Sequence, residues 1–273
     1  MMTDNDNINQ LIERILNSRK YRDLGLNPDT VEDLIRQEIG HQPSEKALRK
    51  IVRRKLHNIV APYLGDLDYV QRQKQLDQIE ITSLEDDSLQ NFCLDVLAQH
   101  ASTAERISHM TEFYQQLFKV TGMPNILLDL ACGLHPFSFP WMTLPTSMKY
   151  YAYDIIQPRI DLINQFFHII GLAPLAINQD IIVNPPKIHA DLAIFFKEAH
   201  RLEKRQPGAN RKLWAELDVD LLAVSLPTEN LSGTHPLIEQ HRNLVIQNLP
   251  KNQNITEIRV ENEIVFIIES PGN

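Results

Sequence analysis

The chain has 273 residues, of which 43% are hydrophobic and 23% charged, a composition typical of soluble globular proteins. Its two cysteines exclude a disulfide framework, and no apolar run approaches the ~20 residues of a membrane span. The polar, acidic start does not resemble a signal peptide, so we expect a cytoplasmic protein without membrane contact. Because the net charge is −8, any surface that binds nucleic acid must be a local concentration of cations.

Residues 1–100 predict an all-helical N-terminal domain. Apolar residues recur at helical spacing over 7–18, 28–39, 44–60, 66–78 and 87–99. Asparagine and serine start signals precede the second and third of these segments, and a glycine follows the second. No β-like run interrupts the pattern.

Two cationic runs lie within this helical region. Residues 14–22 and 46–55 each contain several Lys and Arg and no acid. In the second run the cations fall largely off an apolar stripe, which predicts a helix that packs on one side and is cationic on the other. A solvated helix face explains such a run equally well when it is seen alone.

Beyond residue 120, short β-like runs alternate with helical stretches. This alternation predicts a parallel sheet covered by helices on both faces. The last two runs are separated by only three residues and predict a hairpin, so the sheet should end in an antiparallel strand. The runs are 126–128, 150–153, 192–196, 221–225, 255–260 and 264–268.

The strongest local signal is LLDLACGLHP at residues 127–136. An apolar strand ends in Asp129, and the small residues through Gly133 turn the chain so that backbone amides can approach a ligand at the carboxyl edge of the sheet. The absence of GxGxxG and GxxxxGK[ST] argues against a dinucleotide site and a phosphate loop. The D-x-A-C-G form is the one methyltransferases use to hold the methionine part of S-adenosylmethionine.

Two further acids follow the next strand ends. Asp154 comes ~25 residues after Asp129, where a carboxylate can accept both ribose hydroxyls of an adenosine. The alternative is a helix cap before Pro158, because Asp is favoured there. Asp180 follows the third strand, where it could accept from the adenine amino group.

Segments along nearly the whole chain resemble one known family. The most specific are H-x-S-T with Glu105-Arg106, and D-L-A-x-x-F-K at 191–197. On these residues the chain resembles the aminoglycoside-resistance 16S ribosomal RNA methyltransferases of the Arm/Rmt type, which methylate N7 of guanine 1405. The matching segments are 18–22, 28–31, 56–59, 100–103 with 105–106, 129–134 with 136, 179–180, 191–197 with 202–203, 224–228 and 231–233.

The resemblance implies an α/β fold, with a Rossmann-like seven-strand class I methyltransferase domain over 101–273 behind an all-helical rRNA-docking domain over 1–100. It implies S-adenosyl-L-methionine as methyl donor and S-adenosyl-L-homocysteine as product. The implied partner is the 16S rRNA of the 30S subunit. The oligomeric state stays open from the sequence, with a monomer as the simplest expectation.

The resemblance also assigns residues to three roles. Lys197 and Glu203 are expected near the target guanine as catalytic residues. Residues that bind the cofactor are His100, Ser102, Thr103, Arg106, Asp129, Ala131, Cys132, Gly133, Asp154, Ile155, Gln179, Asp180 and Phe196. Residues that bind RNA are Arg19, Lys20, Arg22, Lys46, Arg49, Lys50, Arg53 and Arg54. No pair of histidines has ligand spacing with Cys or Asp partners, so we expect no metal site.

Two positions depart from the family pattern. Ala104 replaces a basic residue that clamps the cofactor's carboxylate, a loss of ~1.5–3 kcal/mol unless Arg106 or His100 substitutes. The loop over 228–237 also lacks the family's cations. Two alternatives therefore stay open: a diverged methyltransferase for another RNA or a small molecule, and a ribosome-binding relative that has lost cofactor affinity.

Overall fold

Three helices at the start of the chain share a hydrophobic core, which also includes Ile156. The computed structural model describes residues 5–41, 43–61, 67–229, 236–251 and 253–269. The side chain of Asn27 accepts a hydrogen bond from the Asp29 backbone N–H at 2.9 Å, and Ser44 caps the next helix in the same way. The apolar stripes meet around Leu34 and Val52, both fully buried. The helices are α1 (Asn5–Leu16), α2 (Pro28–Ile39) and α3 (Glu45–Val60).

The next helices pack differently, because they cover one face of the sheet. Leu76, Phe92 and Val96 belong to the same hydrophobic core as strand residues such as Leu127. The cores therefore divide between α3 and α4, whereas the sequence places the domain boundary at residue 100; we propose residues 5–61 as the helical unit. The helices are α4 (Tyr69–Leu76), α5 (Asp87–Leu97), α6 (Ala101–Ala104) and α7 (Met110–Thr121), with a 3₁₀ turn at Ile107–His109.

A seven-stranded sheet forms the centre of the molecule, in the order β3-β2-β1-β4-β5-β7-β6. The first five of these strands are parallel to one another. β7 runs antiparallel to both of its neighbours, β5 and β6. The predicted parallel sheet with a closing hairpin is confirmed. The strands are β1 (Ile126–Leu130), β2 (Lys149–Asp154), β3 (Ala176–Asn178), β4 (Ala190–Phe196), β5 (Val219–Pro227), β6 (Ile255–Val260) and β7 (Glu263–Glu269).

Helices cover both faces of the sheet, so alternate strand residues enter opposite cores. Leu127 faces the core built by α5, α7 and the following helix α8, while Leu128 faces the opposite core with Trp214. Because β1, β2 and β4 are parallel, their carboxyl ends meet at one edge. The remaining helices are α8 (Gln157–Ile169), α9 (Ala199–Arg205), α10 (Ala209–Glu216) and α11 (Ile238–Asn248), with a 3₁₀ helix at His135–Trp141.

Within the described ranges, no helix has the length and apolarity required to cross a bilayer.

Candidate active site

The turn after β1 is fastened to the end of β2. The backbone N–H of Cys132 donates to the Tyr153 carbonyl at 2.8 Å, and that of Gly133 donates to Asp154 Oδ2 at 3.1 Å. Ala131 and Gly133 both have positive φ, 53° and 54°, which lets the chain reverse within a few residues. The turn and the acid of the next strand therefore form one rigid unit.

A cleft opens beside this turn, at the carboxyl edge of the sheet. Most of the predicted cofactor residues meet there, together with the predicted catalytic residue Lys197. Sequence reasoning missed two of the residues in its wall, His135 and Glu198. The lining residues are His100, Ser102, Thr103, Arg106, Asp129, Ala131, Cys132, Gly133, His135, Phe196, Lys197 and Glu198.

Asp129 is held by a buried chain of polar side chains. Its Oδ2 accepts from the Tyr150 hydroxyl at 2.7 Å and lies 2.7 Å from His135 Nδ1. His135 Nε2 in turn lies 2.7 Å from the Tyr114 hydroxyl. Burial raises the pKa of Tyr114 to about 12, so this phenol keeps its proton at neutral pH. The network fixes Asp129 at the floor of the cleft.

Arg106 is paired inside the protein. Its Nε donates to Glu263 Oε2 at 3.1 Å, and its Nη2 donates to the other carboxylate oxygen. The guanidinium carbon lies 4.1 Å from the ring centroid of Phe113 and 4.8 Å from that of Phe196. Although burial would raise the pKa of Glu263, the charges of Arg106 and Lys197 hold it at about 2. Arg106 thus forms a neutralised wall of the cleft.

Lys197 is buried, and its backbone adopts a conformation that is unfavourable for residues other than glycine. Its φ is 59°, a left-handed value that costs ~1–2 kcal/mol. Its ammonium lies 2.7 Å from Glu105 Oε2 and 3.6 Å from Glu263 Oε2. Its backbone N–H donates to the Ser225 carbonyl at 2.8 Å, which fixes the end of β4 against β5. Strain of this kind accumulates at functional sites.

Asp154 lies at the end of β2, below the glycine turn. Besides Gly133, its carboxylate accepts from Arg159 Nη1 at 2.7 Å and from the backbone N–H of Ile156 at 2.9 Å. Ile155 is partly buried against the core of α1–α3. The Asp154 carbonyl accepts from the Gln179 N–H at 2.9 Å, which links the ends of β2 and β3.

Asp180 and Glu203 are engaged away from the lining of the cleft. Asp180 accepts from the Thr30 hydroxyl at 2.6 Å and from Arg205 at 2.7 Å. Glu203 accepts from the Gly208 N–H at 2.6 Å and from the Asn210 amide at 2.9 Å, so it supports the turn between α9 and α10. The structure thus brings one of the two predicted catalytic residues into the cleft and the other to a helix connection.

The two cationic runs form one surface, which we call the basic patch. Lys20 Nζ lies 2.8 Å from His57 Nδ1, and the Tyr21 hydroxyl donates to the Arg53 carbonyl at 3.1 Å, so the segment after α1 lies along α3. All the predicted RNA-binding residues are exposed there. The patch comprises Arg19, Lys20, Arg22, Lys46, Arg49, Lys50, Arg53 and Arg54.

Other chemistries find little support among the described residues. No group of three or more His, Cys, Asp or Glu in that part of the chain is arranged to hold a metal ion. Burial raises the pKa of the Cys93 and Cys132 thiols, which keeps both protonated. Of the loop over 228–237, residues 230–235 lie outside the described residues, so its predicted lack of cations stays a sequence observation.

Known structures share this architecture over nearly the full chain. The 16S rRNA methylase RmtB is 27% identical, covers 96% of this chain and 98% of its own, and superposes with a TM-score of 0.77. The 16S rRNA methyltransferase RmtF, solved with S-adenosyl-L-homocysteine, is 24% identical with the same TM-score and shares the fold. Fold and cleft together define a Rossmann-like, S-adenosylmethionine-dependent methyltransferase of class I.

Sequence comparisons name the family. The model of the ribosomal RNA methyltransferase (FmrO) family matches residues 17–267, and the chain belongs to this family. The 16S rRNA (guanine(1405)-N(7))-methyltransferase of Proteus mirabilis is 28% identical over 98% of this chain and 99% of its own length. The enzyme of the same name from Serratia marcescens is 28% identical over 97% of this chain and its full length.

Proposed function

We propose that this enzyme transfers a methyl group from S-adenosylmethionine to N7 of guanine 1405 in the 16S rRNA of the 30S subunit. The observation that carries the proposal is the gathering of the H-x-S-T–E-R segment, the glycine turn and Lys197 around one cleft at the carboxyl edge of the sheet. The activity for which the full-length relatives are named supports the choice of target.

The chemistry of the cleft fits the donor molecule. A zwitterionic methionine end requires donors for its carboxylate and acceptors for its ammonium. An imidazole, a hydroxyl and a carboxylate stand together here in His100, Ser102 and Asp129. A Cβ built at Gly133 would have one described neighbour within 4 Å, His100 Nδ1 at 3.9 Å. The turn therefore leaves space beside the glycine. We keep Asp154 as the proposed acceptor for the ribose hydroxyls, because it ends the strand next to β1 and is bonded to the glycine turn through Gly133.

Methyl transfer to N7 requires no general base in the protein. Bound S-adenosylmethionine supplies an electrophilic methyl group, and N7 of guanine carries a free lone pair. The protein therefore contributes positioning and electrostatics. Arg106 and Lys197 are matched by Glu105 and Glu263, which keeps this wall nearly neutral as positive charge moves from the donor to the base.

We assign Lys197 to the target side of the cleft, because it follows β4 and is held rigidly by two carboxylates. Glu203 enters the proposal only as support for the connection between α9 and α10. Because Ala104 offers no cation and Arg106 is already paired, we assign the donor's carboxylate to His100 and the hydroxyl of Ser102.

The basic patch is proposed to dock on rRNA phosphates. Its cations are exposed on one side of α3 while Leu48, Val52 and Leu56 pack on the other. Such contacts position an enzyme without reading sequence. The enzyme would act in the cytoplasm as a monomer, and its product would carry methylation in the aminoglycoside-binding decoding site.

A labelled-methyl assay tests the proposal. The purified chain is incubated with labelled S-adenosylmethionine and either intact 30S subunits, naked 16S rRNA or no RNA, and the label is mapped. We expect label at guanine 1405 in 30S subunits only, and its loss in Lys197→Ala. Label at another nucleotide would contradict the target. Donor binding by calorimetry without methyl transfer to any of these substrates would favour an enzyme that acts on a small molecule. An absence of donor binding would favour a ribosome-binding relative without activity.

A further inference from the structure

The loop before α2 inserts against the strand ends that flank the cleft. The Asn27 backbone N–H donates to the Ile155 carbonyl at 2.8 Å, and that of Gln157 donates to the Gly25 carbonyl at 3.0 Å. Gly25 has a φ of 54°, and a Cβ there would lie 2.9 Å from Pro158 Cδ. Only glycine permits this approach, so the helical unit is joined directly to the residues that follow Asp154.

The first turn of α2 reaches the end of β3 as well. Thr30 is fully buried, and its hydroxyl donates to Asp180 Oδ2 at 2.6 Å. The same oxygen accepts from Arg205 Nη2 at 2.7 Å, while Oδ1 accepts from the Ile182 N–H at 3.1 Å. Asp180 is 1% exposed. Its carboxylate is therefore oriented by one hydroxyl from the helical unit and one guanidinium from α9.

Neighbouring contacts make this junction continuous. The Asn27 amide donates to the Asn178 carbonyl at 3.0 Å, and the Asn184 amide donates to Asp29 Oδ2 at 2.8 Å. Arg205 also pairs with Asp33, at 3.3 Å. The unit that carries the basic patch is thus bonded to the residues at the ends of β2 and β3.

We propose that Thr30 is a positioning residue for the donor site, acting through Asp180. The inference rests on the proposed function, to which it adds the prediction from the sequence that Asp180 accepts from the adenine amino group of the donor. A buried carboxylate that loses one of its donors reorients toward its remaining partners, here Arg205 and the Ile182 N–H. Arg205 belongs to α9, which begins two residues after Lys197. Docking of the helical unit on rRNA and binding of the donor are then coupled, and each favours the other by the same factor.

Calorimetry with S-adenosyl-L-homocysteine tests the role of the hydroxyl. Thr30→Val keeps the shape and removes the donor, and we expect about tenfold weaker binding, which is about 1.4 kcal/mol. Thr30→Ser keeps the donor and should bind within about twofold of wild type. Val31→Ala, in the adjacent fully buried position, loosens the same core without touching Asp180 and serves as the matched control.

Steady-state methyl transfer separates positioning from a purely structural role. In Thr30→Val the KM for the methyl donor should rise about tenfold while kcat stays within about twofold. Equal donor affinity in Thr30→Val and wild type, or an equal loss in Val31→Ala, would overturn the inference. Either result would leave the proposed function intact, whereas a wild-type chain that binds no donor would contradict both.

Hydrogen exchange on the wild-type chain gives a second test that no folding defect can obscure. Saturating S-adenosyl-L-homocysteine should slow amide exchange in the first turns of α2, because bound donor orders Asp180 and Asp180 orders Thr30. The amides of β6, at the opposite edge of the sheet from β3, serve as the control. Unchanged exchange in α2 would show that the two sites are independent.

Discussion

The carboxylate of Glu263, at the start of β7, accepts two hydrogen bonds from the guanidinium of Arg106, 157 residues earlier in the chain. Both side chains are almost completely inaccessible to solvent. The pair joins the closing hairpin of the sheet to the short helical segment that walls the cleft. The last strands thus contribute to the site through one acid.

Removing one partner of this pair should destabilise the whole enzyme. Glu263→Gln leaves the Arg106 charge buried and uncompensated, and we expect the free energy of unfolding to fall by ~3–5 kcal/mol, measured by urea denaturation. The double variant Arg106→Met with Glu263→Leu removes both charges and should recover most of that loss. A single variant as stable as wild type would show that the pair is solvated in solution.

Charge reversal in the basic patch should weaken binding to 30S subunits. Arg49, Arg53 and Arg54 are exposed on α3, and changing all three to Glu removes cations that release counterions from rRNA. The plot of log affinity against log salt concentration should flatten by ~0.9 for each phosphate that the variant no longer neutralises. Binding measured over a salt series provides both quantities.

A second triple variant controls for net charge. Lys119, Lys149 and Arg259 are exposed outside the basic patch, and their reversal to Glu changes the total charge equally. This variant should retain the affinity and the salt dependence of wild type. If the two triple variants weaken binding to the same degree, the attraction is a general charge effect and the patch is not a docking surface.

Ala131→Gly should make the enzyme more stable. Ala131 has a φ of 53°, which costs an L-residue ~1–2 kcal/mol, whereas glycine in the unfolded chain loses ~0.5–1 kcal/mol more conformational entropy. We expect a net gain of ~0.5–1 kcal/mol in urea denaturation. Ala215→Gly, at an exposed position in α10, should instead lose ~1 kcal/mol. Destabilisation by both changes would contradict the positive φ.

Stability should decrease in mild acid because of His200. Burial, with help from nearby cations, lowers its pKa to about 4, and its Nδ1 has no hydrogen-bond partner among the described residues. The unfolded chain takes up a proton below pH ~6.5 and the folded chain only near pH 4, so stability falls as pH drops between these values. His200→Gln should flatten the dependence of the melting temperature on pH between these values. An unchanged slope would assign the effect to other groups.

The sheet and its ligand edge could be predicted because their signals are local. Apolar runs mark the strands, a three-residue gap marks the hairpin, and D-x-A-C-G marks the turn at Asp129. The collection of His100, Arg106 and Lys197 at the cleft came from the family resemblance, since no spacing rule connects segments so far apart.

Partner selection among buried charges could not be predicted. In the sequence Glu263 looks like an ordinary hairpin residue, and only the strand order β5-β7-β6 brings it to Arg106. Tyr114 and Tyr150 look like simple core aromatics until His135 and Asp129 are seen between them. For Asp180 the sequence shows a strand end, but the approach of Thr30 depends on how two separate cores are joined.

The separate core of α1–α3 has an evolutionary consequence. Because this unit meets the catalytic body mainly through one stretch, residues 25–37, an ancestral gene could exchange or remodel it while keeping that short seam matched. If the basic patch docks on rRNA as proposed, docking and the methyl-transfer machinery can then diversify at different rates. Sequence drift in the outer face of α3 would change the docking surface without rebuilding the chemistry.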